Sequence, residues 1–192
     1  SGQAADHVLG QPGFTTQEPA TSRTGMFRPY GIAVGAGKMA VTDFGNSRVL
    51  IYDPIPMDGE ASPVAVLGQS DFERSERACS ENGMISPSGV TITPLGKLIV
   101  ADTFNHRVLI WNEVPTVSNT APHLILGQSA PDKCMYNDLD QNGLPDVDEE
   151  SGRDVASAST FGAPSDVWSD DTRLVVADVA NHRVLIWNRF PT

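Results

Sequence analysis

One run of residues is written three times in this chain, and it restricts the possible folds more than any other feature. The run reads Thr42-Asp43-Phe44-Gly45-Asn46-Ser47-Arg48-Val49-Leu50-Ile51-Tyr52-Asp53 in the first copy. It returns as Ala101-Asp102-Thr103-Phe104-Asn105-His106-Arg107-Val108-Leu109-Ile110-Trp111-Asn112, and again as Ala177-Asp178-Val179-Ala180-Asn181-His182-Arg183-Val184-Leu185-Ile186-Trp187-Asn188. A unit repeated at a near-constant period is one supersecondary element that buries its apolar face only against its neighbours.

The repeat is longer than that run. Each copy opens with Val8-Leu9-Gly10-Gln11, Val66-Leu67-Gly68-Gln69 or Ile125-Leu126-Gly127-Gln128. A variable stretch follows, then Pro29-Tyr30-Gly31-Ile32-Ala33-Val34, Pro87-Ser88-Gly89-Val90-Thr91-Ile92 or Pro164-Ser165-Asp166-Val167-Trp168-Ser169. Asp43 and Asp102 are 59 residues apart but Asp102 and Asp178 are 76 apart, so the third copy carries 17 extra residues, all after its Leu-Gly-Gln. Repeat units are expected over about 5–57, 63–116 and 122–191, with the insertion over about 131–154.

Within each copy, runs of four to six residues rich in Val, Ile, Leu and aromatics are bounded by Gly, Pro, Asn and Asp, which is a strand pattern. No window holds a long 3.6-residue apolar period. The expected strands are a (Gly31–Val34), b (Lys38–Thr42), c (Arg48–Tyr52) and d (Ala65–Gly68). Asp-x-x-Asn-x-Arg between b and c reads as a hairpin, with Asn at positive φ and the Asp carboxylate accepting from the turn's own N–H groups. Four-stranded repeats of this size indicate an all-β fold of β-propeller blades.

These residues carry a family resemblance. Asp-x-x-Asn-His-Arg-Val-Leu-Ile, preceded by Pro-x-Gly-Ile-Ala-Val and a Lys-Leu-Ile-Val-Ala strand, resembles the NHL repeat over almost all of residues 5–191. The resemblance implies a propeller, usually of six blades around a central channel. With three blades per chain, six are expected from a homodimer. The stretch Asp6–Gly10 reads as a strand d ahead of any a, b or c, and Arg183–Asn188 as a strand c with no d after it. Each chain is therefore expected to donate its first strand to the other's third blade; a fragment of a longer six-repeat protein is the alternative.

Composition narrows the function classes. The chain is 40% hydrophobic, enough for a core, and no apolar run approaches the length of a membrane span. A formal net charge of −11 argues against nucleic acid, because phosphate binding needs a basic face. No signal peptide is visible, and a start at Ser1 rather than Met is expected of a processed or trimmed product.

Alternating strand direction puts the d-to-a and b-to-c connections on one face. That face collects the insertion, both cysteines and the Asn-His-Arg turns, and is the candidate binding face. The insertion contains Asp138-Leu139-Asp140-Gln141-Asn142-Gly143-Leu144-Pro145-Asp146-Val147-Asp148-Glu149, which matches the Asp-x-Asp-x-Asn-Gly-x5-Glu calcium loop. Asp138, Asp140, Asn142, Asp146, Glu149 and the Leu144 carbonyl are the candidate Ca²⁺ ligands, with Gly143 allowing the bend. Residues 131–154 hold eight of the chain's 24 acidic residues, a density that repels itself without a cation. A solvated acidic loop is the plain alternative. Pro145 and the non-helical flanks depart from an EF-hand, so the loop resembles the helix-free calcium loops of bacterial surface proteins and thrombospondin-type repeats.

Cys79 and Cys134 follow their Leu-Gly-Gln at similar distances, so they occupy equivalent loops of adjacent blades. Paired, they would close a loop of roughly 56 residues, worth about 4 kcal/mol in the chain-entropy model; unpaired, they are two thiols. A disulfide and a calcium loop together imply an extracytoplasmic location, whether secreted, periplasmic or at the cell surface.

His106 and His182 share one position. Some NHL-like propellers, such as peptidyl-hydroxyglycine amidating lyase, place zinc on central histidines. Ser47 at the same place in the first copy favours a turn or packing role instead. The Asp43–Arg48, Asp102–Arg107 and Asp178–Arg183 pairs recur once per copy, as a hairpin lock would and a catalytic group would not. Tyr52, Trp111 and Trp187 are expected to fill inter-blade space, and Phe27, Ile85 and Phe161 to be core. No catalytic or cofactor-binding residue is assigned. Two classes remain: a non-catalytic scaffold for a protein, peptide or glycan with a Ca²⁺-stabilised loop, or a metal-dependent lyase or hydrolase resembling the enzymatic six-bladed propellers.

Overall fold

The computed structural model describes residues 2–192, and the chain is all-β apart from three one-turn 3-10 segments. The first sheet runs β1 (Pro29–Gly35), β2 (Lys38–Asp43), β3 (Arg48–Tyr52) and β4 (Ala65–Leu67) in spatial order. The second runs β5 (Val90–Ile92), β6 (Leu98–Asp102), β7 (Arg107–Trp111) and β8 (Leu124–Leu126). The third holds β9 (Pro164–Ser169), β10 (Leu174–Asp178) and β11 (Arg183–Trp187), with β11 at its edge. All pairings are antiparallel, and the architecture is consistent with β-propeller blades. Among the described residues, no helix is long and apolar enough to cross a membrane.

Local chemistry sets the strand ends. Ala36 and Gly37 both take positive φ (50° and 74°), as a two-residue hairpin turn matched to the strand twist requires, and β1 returns as β2 within two residues. The innermost strands touch: β1 contacts β5, and β5 contacts β9. Gly31 and Gly89 permit that approach, since a Cβ on Gly31 would strike the Ser88 carbonyl and one on Gly89 would lie 2.5 Å from Asp166 Cα. Hydroxyls tie the same strands, with Thr42 Oγ1 donating to the Ser88 carbonyl and Ser88 Oγ to the Ser165 carbonyl, both at 2.7 Å.

The apolar core lies between sheets rather than within one. Ala40, Val49, Ile51 and Leu67 of the first sheet meet Val90, Leu98, Val100, Leu109 and Trp111 of the second. Ile99, Ala101, Val108 and Ile110 on the other side of the second sheet meet Val167, Leu174, Val176 and Trp187 of the third. Tyr52 packs with Val41, Leu50 and Val66 on the first sheet's opposite side. Trp111 and Trp187 thus lie between sheets, as the sequence places them, whereas Tyr52 packs on the side of the first sheet that meets loop residues and, among the described residues, no other sheet of the chain.

Among the described residues, 6–10 pair with no strand of their own chain; Gly10 makes an isolated bridge with Gly25 and Leu9 packs against the Tyr52 cluster. Two expectations need correction. The residue at positive φ in each b-to-c turn is the one after Asn, namely Ser47, His106 and His182 (51°, 52° and 54°), which frees the Asn side chain for a different task. Phe27 and Ile85 are only half-buried, and the buried residues are Met26, Met84 and Phe161. Met26, Met84 and Phe161 each stand three residues before the proline of their copy and are the equivalent positions, so Gly162, not Phe161, corresponds to Phe27 and Ile85.

Candidate functional site

The face formed by the b-to-c turns and d-to-a loops is organised around three buried carboxylates. Asp43 Oδ1 accepts from the Phe27 N–H at 2.7 Å, while Oδ2 accepts from Asn46 Nδ2 and Arg48 Nε, both at 2.8 Å. Asp102 repeats this with Ile85 N–H, Asn105 Nδ2 and Arg107 Nε, each at 2.8 Å. Asp178 does so with Gly162 N–H (2.7 Å), Asn181 Nδ2 (2.7 Å) and Arg183 Nε (2.8 Å). The Asp therefore accepts from the loop before strand a and from its own Asn and Arg side chains, not from the turn's N–H groups.

Each lock also gathers the variable loop. Arg48 Nη2 donates to the Ser22 and Gly25 carbonyls at 2.9 Å, and Arg107 Nη2 to Ser80 (2.9 Å) and Gly83 (2.8 Å). Asn46 Nδ2 reaches the Ala20 carbonyl (2.9 Å) and Asn105 Nδ2 the Ala78 carbonyl (3.0 Å). The Asn181 amide instead meets the amide of Asn137 reciprocally at 2.8 Å, which docks the insertion. Desolvation pushes the Asp43 and Asp102 carboxyls up from the ordinary aspartate value, and the guanidinium and amide donors pull them back. Every one of those partners can only donate, so the hydrogen bonds fit the carboxylate form. With their groups committed in this way, these Asp and Arg residues build the scaffold.

His106 is half-buried at a sheet junction. Its Nδ1 pairs with the Gly162 carbonyl, which can only accept, so Nδ1 carries the proton. The ring lies 5.5 Å from that of Tyr136 at the root of the insertion. Ser47 makes the equivalent junction by accepting the Ser86 N–H at 3.3 Å. His182, the third of the set, is exposed. Burial holds the His106 imidazole below the ordinary histidine value, opposed by the Gly162 carbonyl and the Asp178 charge.

Within the insertion, carboxylate oxygens of Asp138, Asp140 and Asp146 lie within 4.8 Å of one another, and among the described residues this is the one such cluster of ligand side chains. Asp138 is buried and accepts from the N–H groups of Asn142 (3.0 Å) and Gly143 (2.9 Å). Asn142 Nδ2 donates to Asp140 Oδ2 at 2.8 Å, and its Oδ1 accepts from Leu144 N–H at 2.8 Å. Glu149 stands outside the cluster, exposed in the turn that the Gly152 N–H closes onto the Asp148 carbonyl. The sequence leaves open whether Cys79 and Cys134 pair; the structure joins them in a disulfide with Cα atoms 6.1 Å apart, just before the carboxylate cluster.

A second feature is not flagged by the sequence. Tyr30, Phe44 and Phe104 form a row with centroids 5.9 and 6.1 Å apart, and the Arg77 guanidinium lies 6.0 Å from the Phe104 ring. A cleft of about 270 Å³ opens beside it between the inner strands, lined by Tyr30, Gly31, Gly89, Ser165 and Asp166. The available signal was a Phe inside two of the three Asp-x-x-Asn turns.

The segment that carries the second lock is also where the chain resembles a known repeat. Residues 85–111 match the NHL repeat. The matched stretch begins at the Ile85 N–H that caps Asp102 and ends at Trp111, so it covers β5, β6, the NHL-repeat turn and β7. No curated protein matches the chain.

Two measurements follow. Arg107→Ala leaves the Asp102 carboxylate buried without its cation and should cost about 3–5 kcal/mol in chemical denaturation. Lys38→Ala, at the half-exposed Lys38–Asp53 pair, should cost under about 1 kcal/mol. Because His106 binds its proton less readily folded than unfolded, its contribution is intact above the ordinary histidine value and is lost as pH falls below about 6.5. Replacing it with Ser, the residue the first copy uses, should remove that part of the stability loss between about pH 7.5 and about pH 5.5.

Proposed function

We propose that this chain is an NHL β-propeller scaffold that binds a protein, peptide or glycan outside the cytoplasm, without chemistry of its own. In this reading all three copies are NHL repeats, and a second copy of the chain completes six blades. The observation that carries it is the fate of the recurring polar residues: the Asp, Asn and Arg of every copy are spent on holding loops to sheets. What stays accessible on that face is contact surface, namely the Tyr30–Phe44–Phe104 row with Arg77. The Cys79–Cys134 disulfide supports an oxidising compartment.

The insertion binds one Ca²⁺ in this reading, through Asp138, Asp140, Asn142, Asp146, Glu149 and the Leu144 carbonyl. The donor set fits. Calcium–oxygen distances near 2.4 Å put ligands on opposite sides of the ion about 4.8 Å apart, and the three aspartates already lie within that span of one another. Glu149 would close onto the ion from the adjacent turn. The loop is free of helix and is fixed to the scaffold by the disulfide and the Asn137–Asn181 pair, so the ion orders a loop and moves no helix.

Calorimetric titration of chelator-treated protein should show one calcium site that Asp140→Ala with Glu149→Ala abolishes; equal heats from both proteins would contradict the assignment. On peptide and glycan arrays the protein should retain a ligand class, and Tyr30→Ala with Phe104→Ala should release it. Zinc-dependent turnover of an ester, glycoside or α-hydroxyglycine substrate, lost in His106→Ala, would overturn the scaffold reading.

A further inference from the structure

We propose that the Cys79–Cys134 disulfide is a reversible redox site opened by a dithiol reductant, and that the reduced form is completed by a hydrogen bond from the Cys79 thiol to the buried amide oxygen of Asn105. The proposal goes beyond the scaffold reading and rests on a comparison of the first two copies.

The loop before the inner strand is built alike in both. Ala20 N–H donates to the Met26 carbonyl at 3.1 Å, and Ala78 N–H to the Met84 carbonyl at 3.3 Å. Gly25 N–H donates to Ser22 Oγ at 2.9 Å, and Gly83 N–H to Ser80 Oγ at 3.0 Å. Asn46 Nδ2 and Asn105 Nδ2 each reach the alanine carbonyl of their own loop, that of Ala20 or of Ala78. In this frame Thr21 of the first loop and Cys79 of the second hold one position, each directly after that alanine.

The two positions differ by one hydrogen bond. Thr21 Oγ1 donates to Asn46 Oδ1 at 2.7 Å. Asn105 Nδ2 donates to Asp102 Oδ2 and to the Ala78 carbonyl, and both of these can only accept, so the orientation of the amide is fixed. Its Oδ1 is then the acceptor that Thr21 serves in the first copy, yet it is buried and has no partner among the described residues. The third copy fills the same acceptor with Asn137 Nδ2 at 2.8 Å. A disulfide sulfur carries no proton, whereas a thiol at Cys79 can donate as Thr21 does. A buried acceptor without a partner is costly, and here the cost falls on the oxidised form alone.

The reduced form also needs no disulfide to stay folded. The first copy holds the equivalent loop with no cysteine in it. On the insertion side, Arg107 Nη1 donates to the Pro131 carbonyl at 2.7 Å, and the Asn137 N–H to the Phe161 carbonyl at 3.1 Å. Cys134 lies between these two attachments, so the thiols remain close to each other after reduction and can close again. Cys79 is exposed and Cys134 half-buried, which lets an incoming thiolate reach the bond without unfolding the chain.

Exchange proceeds in two displacements. A thiolate of the dithiol attacks Cys79 Sγ, the bond to Cys134 breaks, and Cys134 leaves as a thiolate that takes a proton from water. The second thiol of the reductant, as its thiolate, then attacks the reductant's own sulfur in the mixed disulfide. Cys79 leaves, is protonated, and donates to Asn105 Oδ1. The protein has gained two electrons and two protons, and the dithiol has lost them as a cyclic disulfide. The bond that opens joins the loop carrying Arg77 to the segment carrying the carboxylate cluster. Reduction therefore uncouples the aromatic row from the insertion and leaves the three Asp-Asn-Arg locks closed.

In mixtures of reduced and oxidised dithiothreitol, the chain should pass reversibly between no thiol and two, with far-ultraviolet dichroism unchanged. Asn105→Ala loses the Nδ2 bonds in both redox forms but the thiol bond in only one. It should lower the equilibrium constant for reduction about tenfold, a shift of about 30 mV. Because that variant weakens the second lock, a second comparison isolates the hydrogen bond. With Cys134→Ala in both proteins, Cys79→Thr supplies the hydroxyl of the first copy and Cys79→Val its apolar isostere. The threonine protein should have a folding equilibrium constant about tenfold the larger in chemical denaturation. Thiols that appear only as the chain unfolds, a reduction equilibrium that a folded Asn105→Ala leaves unchanged, or equal stability of the threonine and valine proteins would overturn the proposal. Neither readout uses calcium or an array ligand, so the redox site can fail while the scaffold reading stands.

Discussion

A buried carboxylate at the end of each second strand holds the rest of the structure together. Asp43, Asp102 and Asp178 each bind three segments at once: the loop before the inner strand through a backbone N–H, the turn through Asn, and the following strand through Arg. Such an ion pair is expensive to desolvate and would be a poor route to stability alone. Its use here is positional. The Arg guanidinium spans from its own sheet to the variable loop, and in two of the three copies also to the loop of the next sheet. Loops of unlike sequence and length are thereby held over a regular core.

This division of labour explains why the 17-residue insertion is tolerated. It enters where the locks already fix both ends of the loop, so the chain can lengthen without disturbing strand register. Asn137 and the disulfide add two further attachments near its start. The carboxylate cluster follows directly, on a segment whose backbone is restrained before any ion arrives. A restrained loop loses less conformational entropy on binding than a free one, which favours a structural ion.

Much of the fold was legible because strands here are short, apolar and punctuated. Arg48–Tyr52 was bounded to the residue, and Lys38–Asp43 to within one. The locks were legible as a repeated Asp-x-x-Asn-x-Arg, but their geometry was not. The donor to Asp43 Oδ1 comes from Phe27, 16 positions earlier, in a loop whose sequence differs in every copy. The short polar side chain of Asn makes it the expected residue at positive φ, whereas the structure gives that conformation to Ser47, His106 and His182 and uses Asn as a bridge. Met26, Met84 and Phe161 each precede their proline by three residues, an equivalence masked by the large apolar residue that follows each methionine, Phe27 or Ile85. The pairing of Cys79 with Cys134 depended on two loops meeting, which spacing alone leaves open. At the candidate calcium site, the motif named six ligands and the fold gathers three of their carboxylates.

Each lock joins a distant loop to its sheet as one cooperative unit. Native-state amide hydrogen exchange reads this directly at the N–H groups of Phe27, Ile85 and Gly162, which donate to the three aspartates. If the locks open only with the sheets, these amides exchange as slowly as those of Leu50 and Leu109 in the strands beside them. Exchange at the rate of an exposed loop, with the strand amides still protected, would show the loops to be independent of the sheets and would contradict the account.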